Sequence, residues 1–284
     1  MRGMGTVWPR VVAAGAVAVA VLTALTASQA VGTAPATRCF GQMATIVGTN
    51  GDDVLEGSPG ADVIVGRAGR DRIRPGAGSD RVCSGVGPDD VFRSPGADWV
   101  RGGSGRDGLL GGPGADRLDG GHDLDSIGGG RGDDQIWGRG GADLIGGEEG
   151  DDALYLGSGG TEFSSGGGGK DLVVGGPGDD FEVFGGPGAD RLQGRGGSDE
   201  LYASGRRFTS DARPNVVIGG PGPDFLSGDR GDDQLFGGRG RDSLRGEEGD
   251  DQIGGGSGLD DATGGPHVSG DTCVRVERRR GCER

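Results

Sequence analysis

Aspartate recurs every nine residues through most of this chain. Asp53, Asp62, Asp71, Asp80, Asp89, Asp98, Asp107, Asp116, Asp125, Asp134, Asp143 and Asp152 follow one another without a slip, and Thr161 takes the next slot. Asp171, Asp180, Asp190 and Asp199 resume after single-residue insertions ahead of Asp171 and Asp190, and Asp224, Asp233, Asp242, Asp251 and Asp260 complete the series. Each closes a glycine-rich phrase, cleanest in Gly111-Gly112-Pro113-Gly114-Ala115-Asp116-Arg117-Leu118-Asp119. One carboxylate beside flexible backbone, many times over, makes a row of sites for a hard cation. Ca²⁺ takes about six to eight oxygen ligands in a flexible shell, which carboxylates and main-chain carbonyls supply together. Zinc would require Cys or His at set spacings, and the only histidines are His122 and His267. His122 falls at the variable third position of its phrase, where a solvent-facing side chain is expected. Magnesium holds its waters and suits an all-protein cage poorly.

The elements that position these carboxylates follow from the rest of the phrase. Two residues after each Asp comes an apolar side chain, as in Leu55, Ile64, Ile73, Val82, Val91 and Val100. Asp-x-apolar-x alternates with period two and suits a short strand with one face buried. The preceding glycines tolerate sharp turns. Turn, strand, turn, strand gives about eighteen residues per coil, with coils stacked roughly 4.8 Å apart. Asp53 then lies under Asp71, and Asp62 under Asp80 on the opposite side.

The phrase resembles the calcium-binding nonapeptide of RTX (haemolysin-type) proteins. The resemblance implies an all-β fold, a parallel β-roll or β-helix solenoid. It also implies multiple Ca²⁺ ions held between adjacent turns by the twenty-one aspartates named above and by loop carbonyls. Three departures weaken single sites: Asp123 stands in the fourth-position glycine slot, Glu182 in an apolar slot, and Thr161 in a ligand slot. Edge coils near Asp53 and Asp260 have a neighbour on one side only.

Composition agrees with a metal-dependent fold. Glycine supplies 70 residues and proline 13, and aromatics are only 5%. A core of about one inward side chain per phrase cannot easily offset the entropy of ordering so much glycine. The net charge of −15 opposes compaction further. Cation binding is therefore expected to contribute folding free energy directly. A chain this acidic is a poor nucleic-acid binder.

The domain plan reads as a signal peptide at 1–30, an N-terminal cap at 31–47 and repeats at 48–202. An inserted loop at 203–218, further repeats at 219–265 and a C-terminal cap at 266–284 complete it. Arg2 and Arg10, the apolar run from Val11 to Leu25, and Ser28-Gln29-Ala30 form a secretory signal pattern, with cleavage expected after Ala30. The apolar run is short for a membrane span. The mature protein is then secreted, with no membrane span. Four cysteines in an exported chain read as two disulfides, for which three connectivities exist. Cys273 and Cys282 flank a basic tail and could close a short loop; Cys39 and Cys83 would then tie the N-terminal cap to the fourth repeat. Such closures would protect terminal coils, which expose unpaired sheet edges.

Other motifs are by-products of the repeat. Gly103-Ser104-Gly105-Arg106-Asp107-Gly108 fits a dinucleotide fingerprint but lacks the following helix. Arg131-Gly132-Asp133 and Arg230-Gly231-Asp232 arise wherever Arg fills the third slot of the phrase. Trp99 and Trp137 occupy outward slots where a partner could touch them. Segments outside the signal and the repeats are too small for a catalytic domain, and no zinc-protease or nucleophile motif occurs, so an enzyme is not expected. The expected function is a calcium-binding structural or interaction module. The alternatives are a cell-surface adhesin or biofilm component with an unidentified surface or matrix partner, or less favourably an enzyme accessory or hydrolase.

Overall fold

The structure, a computed structural model, describes residues 37–205, 212–266 and 270–282. The signal segment, the first residues of the N-terminal cap, and parts of the inserted loop and C-terminal cap lie outside them, as does His267.

Two thirteen-stranded sheets face one another, and every neighbouring pair within them is parallel. Sheet I runs from Val54–Glu56 at one end to Arg278–Arg280 at the other. Sheet II runs from Ile46–Val47 to Thr272–Val274. Consecutive strands alternate between the sheets, so the chain winds as an all-β solenoid with two phrases per coil. Arg117–His122 shows the local logic: Leu118 is fully buried between exposed Arg117 and half-buried Asp119, and it stacks between Val100 and Ile136. Leu109 does the same in sheet I, opposite Ile127. One buried side chain per strand therefore builds most of the core, as the repeat predicts, with Leu156, Ala203 and Val276 added to it.

The insertions are absorbed as strand irregularities. In Thr161–Gly168 the register shifts between Asp143 and Leu144, so Leu144 faces Phe163 and Ile145 faces Ser164. Ser164 thus occupies an inward slot, fully buried. The second insertion lies just after Asp180. Val183 is the inward residue there, 1% exposed, and Glu182 sits beside it with a left-handed φ of 51°. The assignment of Glu182 to an apolar slot is therefore corrected: the extra residue moves that slot one place along the chain. Within 203–218, read from sequence as a loop, Val216 and Val217 already belong to strand Val216–Pro221 and pair with Arg191 and Leu192.

The two ends are closed differently. Arg38–Cys39 and Gln42–Met43 form an antiparallel hairpin, joined to sheet II by a Cys39–Cys83 disulfide. Val63 and Val65 on the outer face of sheet II are buried with Cys39, against Phe40 and Ala44. At the other end a Cys273–Cys282 disulfide brings Cys282 against the last core residues. No helix among the described residues is long and apolar enough to cross a membrane.

Candidate cation-binding ladders

The nine-residue spacing places successive aspartates on alternate sides of the solenoid, so those two phrases apart stack directly. Each opens a strand, and its backbone N–H donates to the carboxylate in the next coil. Asp107 N–H donates to Asp125 Oδ1 at 2.9 Å, and Asp125 N–H to Asp143 Oδ1 at 2.9 Å. On the other side Asp98 N–H donates to Asp116 Oδ1 and Asp116 N–H to Asp134 Oδ1, at 2.8 and 2.7 Å. The pattern forms two ladders that run from Asp53 and from Asp62 towards the C-terminus.

One carboxylate oxygen is used in this way. The other, Oδ2, is buried without a hydrogen-bond partner in eighteen aspartates among the described residues. Seventeen of these belong to the sequence-predicted set. In Asp53, Asp62, Asp98 and Asp180 Oδ2 is satisfied instead, by Thr49, Ser58, Ser94 and the Gly176 N–H. Native interiors rarely leave polar atoms unpaired, so a repeated orphan oxygen indicates a missing ligand.

The surroundings of Oδ2 are oxygen-rich. A Cβ placed on Gly102 would lie 2.4 Å from Asp107 Oδ2 and 2.5 Å from the Gly120 carbonyl oxygen. On Gly111 the same construction meets Asp116 Oδ2 at 2.4 Å and the Gly129 carbonyl at 2.5 Å. Glycine at the first position of the phrase is therefore a steric requirement: it lets a carboxylate and a carbonyl from the next coil converge. Among the described residues no three Asp, Glu, His or Cys side chains come together. A cation between coils must accordingly draw on main-chain carbonyls, a ligand class suited to Ca²⁺ and foreign to zinc.

Electrostatics point the same way. Burial, followed by repulsion from neighbouring carboxylates, pushes Asp107, Asp125 and Asp134 up to about 7 and Asp233 up to about 8. The N–H donated from the preceding coil offsets this only in part. A divalent cation beside such a stack reverses the balance, because it favours the ionised form.

The ladders include residues that the spacing argument missed. Asn215 accepts the Asp190 N–H at 2.8 Å and donates its own N–H to Asp233 Oδ1 at 2.7 Å, holding a rung without a charge. Asp271 accepts from Asp251 N–H, with its own Oδ2 buried and unpaired. Glu277 Oε2 ends the Asp53 ladder by accepting the Asp260 N–H at 2.6 Å. At Thr161 the ladder lacks a carboxylate, and Leu156 stands where most phrases begin with glycine, buried in the core. Leu156 and Thr161 have replaced the glycine and the carboxylate of that site together. His122 is exposed, as its slot predicts.

The sequence matches the RTX calcium-binding nonapeptide repeat (4 copies) over residues 47–82, 93–127, 123–154, 156–181, 183–205, 210–244 and 231–262. The chain belongs to this family. Its RTX repeats span both ladders, and the solenoid with buried stacked aspartates is the arrangement a calcium-binding repeat requires. Comparison with curated proteins found no match.

Proposed function

We propose that this RTX protein is a secreted structural or interaction module that folds on binding Ca²⁺ between its coils. The ligands are the aspartates of the two ladders with unpaired Oδ2, together with carbonyls of the glycine turns. Asp271 joins the set, whereas Asp53, Asp62, Asp98 and Asp180 are weaker members because local donors already occupy Oδ2. When bound, the cation would neutralise the stacked carboxylates and hold them in the ionised form. The chain supplies register through the N–H to Oδ1 bonds, and it keeps side chains out of the site through glycine.

The observation that carries this reading is the buried, unpartnered Oδ2 repeated along both ladders. Leaving many carboxylate oxygens dry and unpaired costs roughly 1–3 kcal/mol each by ordinary desolvation, and more when charged. No core of one side chain per strand offsets that sum. Export from a reducing to a calcium-rich, oxidising space fits both disulfides, and the expected site affinities are then about 10⁻⁴–10⁻³ M, the class of extracellular modules. Calcium titration of chelator-treated mature protein, followed by circular dichroism, tests the reading: β signal should rise with Ca²⁺ and respond far less to Mg²⁺.

A further inference from the structure

On the outer face of sheet II, between the N-terminal hairpin and Tyr155, cationic and aromatic side chains cluster. Arg81, Trp99 and Arg117 share one outward slot on three successive coils. Their register brings the guanidinium carbons to 5.2 and 4.7 Å from the Trp99 ring centroid. Trp137 and Tyr155 continue the next slot, stacked with centroids 5.8 Å apart and ring planes nearly parallel at 7°. Beside them runs a trough of about 440 Å³, floored by Gly85, Gly103 and Gly121 and walled by Arg101, Asp119 and Arg139.

Local charge runs opposite to the molecule. In the outward slots of these coils Arg67, Arg81, Arg101, Arg117 and Arg139 face a single acid, Asp119, on a chain of net charge −15. Several arginines elsewhere are paired with acids, as in Arg70–Asp90, Arg131–Glu149 and Arg230–Glu248. Among the described residues Arg81 and Arg117 have no carboxylate within ion-pair reach, only Trp99. The hairpin buttresses this arrangement: Phe40 meets Trp99 edge-on at 5.5 Å, and Arg101 lies over Phe40.

We infer that this face binds an extended anionic polysaccharide laid along the solenoid axis. Aromatic side chains rimmed by guanidinium groups suit a ligand that alternates apolar and anionic parts, as an acidic sugar chain does. Arg81 and Arg117, two coils and so roughly 9.6 Å apart, would each hold a sulfate or carboxylate through forked donors. A glycine-floored trough admits a chain broader than a single side chain. The Arg101–Asp119–Arg139 cluster offers both donors and an acceptor for sugar hydroxyls. A single-stranded nucleic acid, whose bases also stack on aromatic rings, is the competing occupant and forms one arm of the test.

The inference rests on the calcium-stacked coils of the proposed function, so binding is measured at saturating Ca²⁺ on mature protein whose β signal has been verified. The probes are heparin as a sulfated glycan, polygalacturonate as a carboxylated one with calcium held in excess, neutral dextran, and an oligothymidylate. Heparin or polygalacturonate should bind, whichever anion the face prefers, and dextran should bind far less. Trp99→Ala, and separately Arg81→Gln with Arg117→Gln, should weaken binding about tenfold, the size of one lost stacking or charged contact. Phe236→Ala, on the same sheet but distant coils, should leave it unchanged. Absence of binding to both anionic glycans with the fold intact would overturn the inference. So would equal binding of dextran, tighter binding of the oligothymidylate, or insensitivity to Trp99 and the two arginines. Loss of the β signal itself would instead count against calcium-coupled folding.

Discussion

Asp107 donates its backbone N–H to Oδ1 of Asp125, while Oδ2 of the same Asp125 is buried and has no partner. The two halves of one carboxylate thus do different work. One half sets the spacing between coils, and the other waits for a cation. Removing the charge while keeping the hydrogen bond separates these roles, and Asn215 already shows that the exchange is compatible with the fold. Asp107→Asn with Asp125→Asn should therefore lower the number of bound calcium ions and raise the stability of the calcium-free protein. The gain should be of order 1–3 kcal/mol, the penalty of an unsatisfied buried group. Calorimetric calcium titration checks the first outcome, and a residual far-UV β signal in chelator, higher in the variant than in the parent, checks the second.

Glycine in first position is predicted to be irreplaceable where it faces a carboxylate. In Gly111→Ala the new methyl would meet Asp116 Oδ2 at 2.4 Å and a backbone carbonyl at 2.5 Å. Calcium affinity should fall and the melting temperature should drop by several degrees. Gly146→Ala is the control, since nothing lies within 4 Å of its added Cβ. That variant should melt within about 2 °C of the parent, because surface changes away from special features usually cost within about 0.5 kcal/mol.

The pH response should invert between calcium-free and calcium-bound protein. Asp107 and Asp125 rise from 3.8 to about 7 without a cation, through burial first and neighbouring carboxylates next. Raised folded-state values favour the protonated carboxyl, so the calcium-free coil keeps their stabilisation below about pH 4 and loses it as pH climbs through about 7. Calcium needs the ionised form, so its affinity should weaken from pH 7 to pH 5, and binding at pH 6 should release protons. The far-UV β signal across this range should rise towards low pH in chelator and fall towards low pH with calcium.

The Cys39–Cys83 bridge closes a loop of 44 residues and holds the hairpin over Val63 and Val65. Chain-entropy arguments give such a closure about 4 kcal/mol. Cys39→Ser with Cys83→Ser should expose the first coils to hydrogen exchange and leave those around Leu226 and Leu235 protected, because repeat arrays couple mainly to their neighbours. Uniform loss of protection would contradict this local role.

Much of this was legible in the chain. The apolar residue two places after Asp fixes the inward slot in every uninterrupted phrase, and constant spacing fixes which carboxylates stack. The exceptions have one physical source. Spacing reasoning depends on coil length, and coils that gain or lose residues keep the hydrogen-bonded slot while moving it along the chain. Asn215, Asp271 and Glu277 hold rungs 25, 20 and 17 residues beyond their donors Asp190, Asp251 and Asp260, so the nine-residue count passes over them. The bulge at Glu182 displaced an inward slot in the same way. The charged face around Trp99 was hidden for another reason. Its residues are distant in sequence and meet only when alternate phrases form one sheet.

Calcium-dependent folding is tested most directly by following far-UV circular dichroism of the mature, chelator-treated chain as Ca²⁺ is added to millimolar levels, with bound calcium counted in the same samples. The account predicts a coil-like spectrum that turns β-rich as several ions per chain are taken up. A β-rich spectrum already complete in chelator, with no calcium retained, would contradict it.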